Sequence, residues 1–342
     1  TDGSDATLDG FTLQNGYTIG GSKSGGLIVY NSQSVIKDCI IKNNQSHQGG
    51  GLYTYAGSFY NCQIIGNYSP GSGTVVLYYP GYGEYPLFVN CLVAENNGYG
   101  FDGFCRLSNS TVVNNIDGGI ASAGTSTITN SIIYGNDGDE IGSFTATVTY
   151  SLVEGGYTGT GNIDSDPLFA DTANGDYRLS DYSPAIGAGT ATGAPTTDII
   201  GTARPSPSGS SPDMGAYENA LASQRPKAGT IADGLTTDVD WQNSTSTLSA
   251  NWETFIDNDP ITGLTNEYAV GTSTTALADV VDWTTNGTAT SFTNTSLTLT
   301  EGSTYYVSVR ATDTDDQLSD TTTTDGVTID ATAPTIASVV EG

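Results

Sequence analysis

Apolar residues in this chain come in short β-rich runs broken by Gly, Asn and Asp, and no window sustains an apolar stripe at helical spacing. One unit recurs along the first half, [Asp/Asn]-[Cys/Ser/Gly]-x-[Ile/Val/Thr]-x-x-Asn. It runs Asp9-Gly10 to Asn15, Asp38-Cys39 to Asn44, Asn61-Cys62 to Asn67, Asn90-Cys91 to Asn96, Asn109-Ser110 to Asn115 and Asn130-Ser131 to Asn136, then decays at Tyr150-Ser151. Its second positions lie 29, 23, 29, 19, 21 and 20 residues apart, the length that three short strands and three turns take up. Such a period predicts a solenoid, with each coil burying its neighbour.

Two apolar columns are expected inside the coil. One is Ile36, Phe59, Phe88, Leu107, Ile128 and Val148; the other is Leu27, Leu52, Val75, Phe101, Ile120 and Ile141. Like positions would stack one strand spacing apart, about 4.8 Å. Cys39, Cys62 and Cys91 occupy the position that later coils give to Ser110, Ser131 and Ser151, which predicts small inward fillers. Free thiols are favoured there, with one disulfide between adjacent coils as the alternative. Asn44, Asn67, Asn96, Asn115 and Asn136 are expected at a sharp bend with left-handed φ, bonded to one another along the axis.

From Arg225-Pro226 the pattern changes to longer Thr-rich alternation: Leu248, Ala250, Trp252; Tyr268, Val270; then Tyr305, Val307, Val309, Ala311, and a last strand at Asp325–Ile329. The expected domains are 1–224, 225–332, and 333–342 as a linker or the start of another domain. Thr1-Asp2-Gly3 opens directly into patterned sequence, so the chain reads as a piece of something longer.

These residues carry two resemblances. The coil pattern is similar to the pectate-lyase-like right-handed β-helix superfamily. Asp166-Pro167-Leu168-Phe169, Gly175–Leu179, Ser183–Gly189 and Pro212–Glu218 resemble the tail of secreted bacterial surface proteins of the choice-of-anchor type. Residues 225–332 resemble a fibronectin type III domain. The implied architecture is all-β: a right-handed parallel β-helix of about seven coils with a C-terminal cap segment, then a β-sandwich.

Charge narrows the partners. Nine basic residues face 37 acidic ones, a net −28, split evenly between the two parts. That surface repels nucleic acid and polyanionic substrates and leaves neutral glycans or a cell-surface ligand as expected partners. The setting expected is extracellular, secreted or on a bacterial cell surface, and no run reaches the ~18 apolar residues of a membrane span.

Catalytic residues are sparse. The β-helix resemblance implies lyases with an Arg or Lys base beside calcium, or hydrolases with paired aspartates. Here the coils offer only Lys23, Lys37, Lys42 and Arg106 as bases, and Glu84, Glu95, Asp102 and Asp117 look scattered. His47 is the sole histidine, so no triad or zinc set is expected. No organic cofactor is expected.

The outward signal is aromatic. Counting from the inward column places Tyr30, Tyr55, Tyr78 and Phe104 on one outer stripe, with Tyr53 widening it. Such a stripe could dock neutral sugars, or the Pro80–Pro86 loop could pack over it as local core. Acidic loops at Asp257, Asp259, Asp313, Asp315 and Asp316 carry oxygen ligands suited to calcium, with solvated turns as the alternative. Adhesion or glycan binding without catalysis is the leading expectation. A polysaccharide lyase or glycosidase, and a self-assembling filament subunit, are the alternatives.

Overall fold

The computed structural model describes residues 6–18, 23–30, 33–78, 84–121, 124–142, 146–257, 263–333 and 335. The chain divides into two compact units, Thr1–Gln224 and Arg225–Gly342. Among the described residues it is all-β apart from one 3-10 turn at Thr172–Asn174, and no described helix is long and apolar enough to cross a membrane.

The first unit is a parallel β-solenoid with three sheets. The first sheet holds seven strands, from Thr7–Asp9 to Thr147–Thr149, and the second holds seven, from Thr12–Gln14 to Leu152–Val153. The third holds five, from Leu27–Val29 to Gly118–Ile120. About five turns are therefore complete, against the seven expected. The last two coils add strands to the first two sheets only, with Ile141 making an isolated bridge to Ile120.

Alternation within each three-residue strand sends the middle residue inward on the first two sheets. Ile36, Phe59, Phe88, Leu107 and Ile128 stack in exact strand register, as do Leu52, Val75 and Phe101. A third apolar column, Leu13, Ile41, Ile64, Val93, Val112, Ile133 and Val153, completes the core from the second sheet. The Phe59 and Phe88 rings stack at 4.5 Å.

Two residues per coil turn the chain, and neither is the ladder asparagine. Left-handed φ falls on the residue before each small filler, at Asp38, Asn61, Asn90, Asn109, Asn130 and Tyr150, and again just before each ladder asparagine, at Asn43, Gly66, Glu95, Asn114 and Gly135. Asn44 and its equivalents are thus one position past the bend. Their side chains link neighbouring coils instead: Asn44 Nδ2 donates to Asn67 Oδ1 at 3.1 Å, Asn67 to Asn96 at 3.1 Å, Asn96 to Asn115 at 2.9 Å and Asn115 to Asn136 at 2.8 Å. Each Oδ1 also accepts the backbone N–H of the preceding ladder residue, so a buried amide is used on both sides. The first coil is offset by one. Thr12 pairs with Ile40, which places Gly16 and not Asn15 below Asn44.

Cys39, Cys62, Cys91 and Cys105 are all buried and free. Ser110, Ser131 and Ser151 continue the column, and like the thiols they bond to the neighbouring coil. Ser110 Oγ donates to Ser108 O at 2.9 Å and accepts from Cys91 N at 3.0 Å. Cys105 heads a second small-residue column, its backbone N–H donating to Ser126 Oγ at 3.0 Å.

Residues 157–163 close the end of the coil, where Asn162 Oδ1 accepts Ser151 N at 3.1 Å and Tyr157 packs on the core. The following tail is no end cap. It runs along the outer face of the second sheet, where the outward Leu92, Ala94 and Val113 meet Tyr177, Ile199 and Ala216. Further along, Ile132 and Leu152 meet Leu179, Ala185, Ile186 and Met214. Arg204 and Glu218 form a fully buried ion pair there at 3.2 Å. Arg204 also donates to Asp213 O (2.8 Å) and Gly215 O (3.1 Å). Asp213, Glu218 and Asp198 spend their oxygens on backbone amides, which makes this cluster a staple for an irregular segment.

The second unit pairs two sheets around one core. Ile231–Asp233, Leu248–Trp252 and Ser291–Asn294 form one; Trp241–Gln242, Val327–Ile329, Thr304–Thr312, Thr265–Gly271 and Val281–Gly287 form the backbone of the other. Leu248, Ala250, Trp252, Val307, Val309 and Ile329 lie in the core.

Candidate functional site

Tyr30, Tyr55 and Tyr78 each follow directly on a strand of the third sheet: Leu27–Val29, Leu52–Thr54 and Tyr68–Leu77. Tyr55 N donates to Val29 O and Tyr78 N to Thr54 O, both at 2.9 Å, so the three residues sit in register on successive coils. Their rings follow the backbone spacing. Tyr30 and Tyr55 stack at 5.0 Å with planes 22° apart; Tyr55 and Tyr78 lie 4.9 Å apart, tilted 59°. Tyr30 is 58% exposed and Tyr78 51% exposed, while Tyr55 between them is half-buried.

Lys23, by sequence only one of four scattered bases on the coils, completes this group. Its Nζ donates to the Tyr55 hydroxyl and lies 5.2, 5.0 and 6.0 Å from the Tyr53, Tyr55 and Tyr78 ring centres. The Tyr55 hydroxyl holds the Lys23 ammonium above its usual range. The signal that could have found it is weak, because a loop of unpatterned length carries Lys23 to the stripe.

Two stripe residues depart from expectation. Tyr53 does not widen the surface: it is only 5% exposed, beneath Lys23 and the Tyr55 ring at 5.5 Å. Burial pushes its phenol up. Phe104 follows Tyr78 in register but is half-buried, with Tyr85 against it edge-on at 5.5 Å. Tyr85 comes from the 80–86 loop and is tied down by Thr125 Oγ1 at 2.8 Å. The covering-loop alternative therefore applies at Phe104. Residues 79–83, which include the start of that loop, lie outside the described residues.

An in-register stack has a chemical consequence. Tyr30 and Tyr55 turn faces to each other, whereas Tyr55 and Tyr78 meet tilted, so the row presents edges, hydroxyls and part of its ring faces to solvent.

Comparison with known proteins bears on the first unit. Residues 1–155 match the family model described as right handed beta helix region. The solenoid is a right-handed β-helix. No curated protein matches the chain. Among solved structures, an alpha-L-rhamnosidase from Dictyoglumus thermophilum is 13% identical, with a TM-score of 0.24, covering 30% of this chain and 12% of that one. The twitchin kinase region from C. elegans is 13% identical, with a TM-score of 0.22, covering 33% of this chain and 18% of that one. This chain thus spans under a fifth of either, and such scores say nothing of activity.

Several of the acidic and basic groups on the coils pair within the fold. Glu84 pairs with Arg106 at 2.8 Å, and Lys37 with Asp9 at 2.9 Å. Glu95 accepts the buried Tyr177 hydroxyl at 2.8 Å. His47 is exposed. One carboxyl has acid-like character: burial pushes Glu140 up to about 7, with Glu154 beside it. Yet Glu140 terminates the asparagine ladder, accepting Asn136 N at 3.0 Å and the Asn136 side-chain amide. That bonding makes it the β-helix's last polar rung.

For metals, the expected loop is a self-bonded turn. Asp313 Oδ1 accepts Asp315 N at 2.9 Å and Gln317 N at 2.7 Å, its buried Oδ2 has no hydrogen-bond partner, Asp315 and Asp316 are exposed, and Asp259 lies outside the described residues. Among the described residues, carboxylate oxygens come together differently. Asp233, Asp238 and Asp325 place one each within 4.8 Å of one another.

Proposed function

We propose that this chain is a non-enzymatic extracellular module of a large bacterial cell-surface protein that adheres by binding neutral glycans at Tyr30, Tyr55 and Tyr78. The observation that carries this reading is the exposed in-register tyrosine stack with Lys23 bonded into it. A sugar's apolar face would rest against the exposed Tyr30 and Tyr78 rings, and its hydroxyls would bond the row of phenols. The net −28 of the chain favours neutral over polyanionic glycans.

Two architectural readings accompany it. The second unit is a fibronectin type III-like spacer, a reading supported by its two-sheet core and by the Tyr305 hydroxyl accepting Thr300 N at 2.9 Å. The tail is of the choice-of-anchor type, and its Pro212–Glu218 motif contributes the buried staple.

The test is a glycan array probed with the intact chain and with Tyr55→Ala. Binding to a set of neutral glycans that falls at least tenfold in the variant is the expected result. Unchanged binding would remove the stack from the account, and new reducing ends in the incubated glycans would replace adhesion with hydrolysis.

A further inference from the structure

Asp233 ends the strand Ile231–Asp233, Asp238 lies in the turn that follows, and Asp325 precedes the strand Val327–Ile329. The fold brings these three together across 93 residues of sequence, through a bond from Gly326 N to Asp233 Oδ2 at 3.0 Å. Gly326 has φ 100°, and a Cβ there would meet Tyr306 and Thr304 within 3 Å, so the amide reaches Asp233 only because the residue is glycine. Asp238 Oδ1 accepts Asp233 N at 3.1 Å, which fixes the turn against the strand.

The buried member is the informative one. Asp233 is 1% exposed, and its Oδ1 has no hydrogen-bond partner. A buried carboxylate oxygen left bare beside two more carboxylates is costly unless something positive completes it. Among the described residues the unit's two arginines pair with other carboxylates, Arg225 with Asp320 and Arg310 with Glu267. Asp238 and Asp325 are exposed, so the cluster is open on one side to an entering ion and its waters.

We propose that Asp233, Asp238 and Asp325 form a binding site for a calcium-class divalent cation in the second unit. Three carboxylates from three segments give hard oxygen ligands without a rigid octahedral cage, and waters on the open side complete the shell. The ion would pin the Asp233–Asp238 turn to the loop before the last strand.

The test uses the full chain, stripped with chelator and titrated with calcium chloride by calorimetry, with melting followed in parallel. One site with a Kd in the ~0.1–1 mM range of extracellular modules is expected, and a rise in melting temperature with calcium. Asp325→Asn, at an exposed position that leaves the core intact, should weaken binding at least tenfold, and Asp233→Asn should abolish it. Asp313→Asn should leave it unchanged. No heat and no melting shift up to about 10 mM calcium would overturn the proposal. So would loss of binding in Asp313→Asn with retention in Asp325→Asn, or an equal melting rise from sodium chloride at matched ionic strength.

Discussion

The outer face of the second sheet and the outer edge of the third present the same pattern, apolar side chains pointing away from the coil, with opposite outcomes. On the second sheet Leu92, Val113, Ile132 and Leu152 are buried because the tail lies over them. On the third, Tyr30 and Tyr78 stay about half exposed or more. Residue chemistry separates the two. Aliphatic side chains on the covered face have nothing to offer water, whereas tyrosines keep a hydroxyl at the solvent edge. An outward apolar column is thus a demand for a partner, and the tail meets that demand within the chain on one face only.

The comparison can be broken hardest at the tail. Arg204→Met removes the cation from a fully buried pair and strands Glu218 and Asp213. A loss of about 3–5 kcal/mol is expected, read from urea unfolding of the solenoid transition. Ile132→Ala, beneath the tail, should cost about 2–4 kcal/mol by the same measurement. A loss below that of an exposed substitution would mean the tail is not packed there.

The ladder's end sharpens the contrast between buried polar structure and a reactive site. The folded state holds the Glu140 pKa at about 7, above the 4.5 of a free carboxyl, so folding favours the protonated form. The stabilisation is complete below about pH 4.5 and is lost as pH rises towards 7. Glu140→Gln should flatten that slope and raise stability by roughly 1–3 kcal/mol at pH 8, with little change at pH 4.5. Urea midpoints at the two pH values decide it, and an unchanged slope would assign the titration elsewhere.

Much of the solenoid was legible because a coil repeats its chemistry at one spacing. The Ile36 and Leu52 columns follow from period alone, as does the succession of Cys39, Cys62 and Cys91 by serine. The first coil misled because Gly10 and Asn15 mimic the motif one residue out of register, and only the Thr12–Ile40 pairing reveals the slip. Left-handed φ was assigned one residue late, because Asn occupies both the bend and the ladder, as at Asn43 and Asn44. Tyr53 alternates outward correctly, but alternation cannot foresee that Lys23 lies over it. The tail's course and the Asp233–Asp238–Asp325 cluster were invisible for one reason: each joins residues tens of positions apart with no shared period.

The smallest structural effect belongs to the central claim. In the double variant Tyr30→Ala, Tyr78→Ala, the melting temperature of the solenoid and the affinity for the best neutral glycan from the array are measured together. A stability change below about 1 kcal/mol is expected for these exposed rings, with binding lost. A melting temperature that falls as far as that of Ile132→Ala, with glycan binding retained, would contradict it and make the tyrosines core.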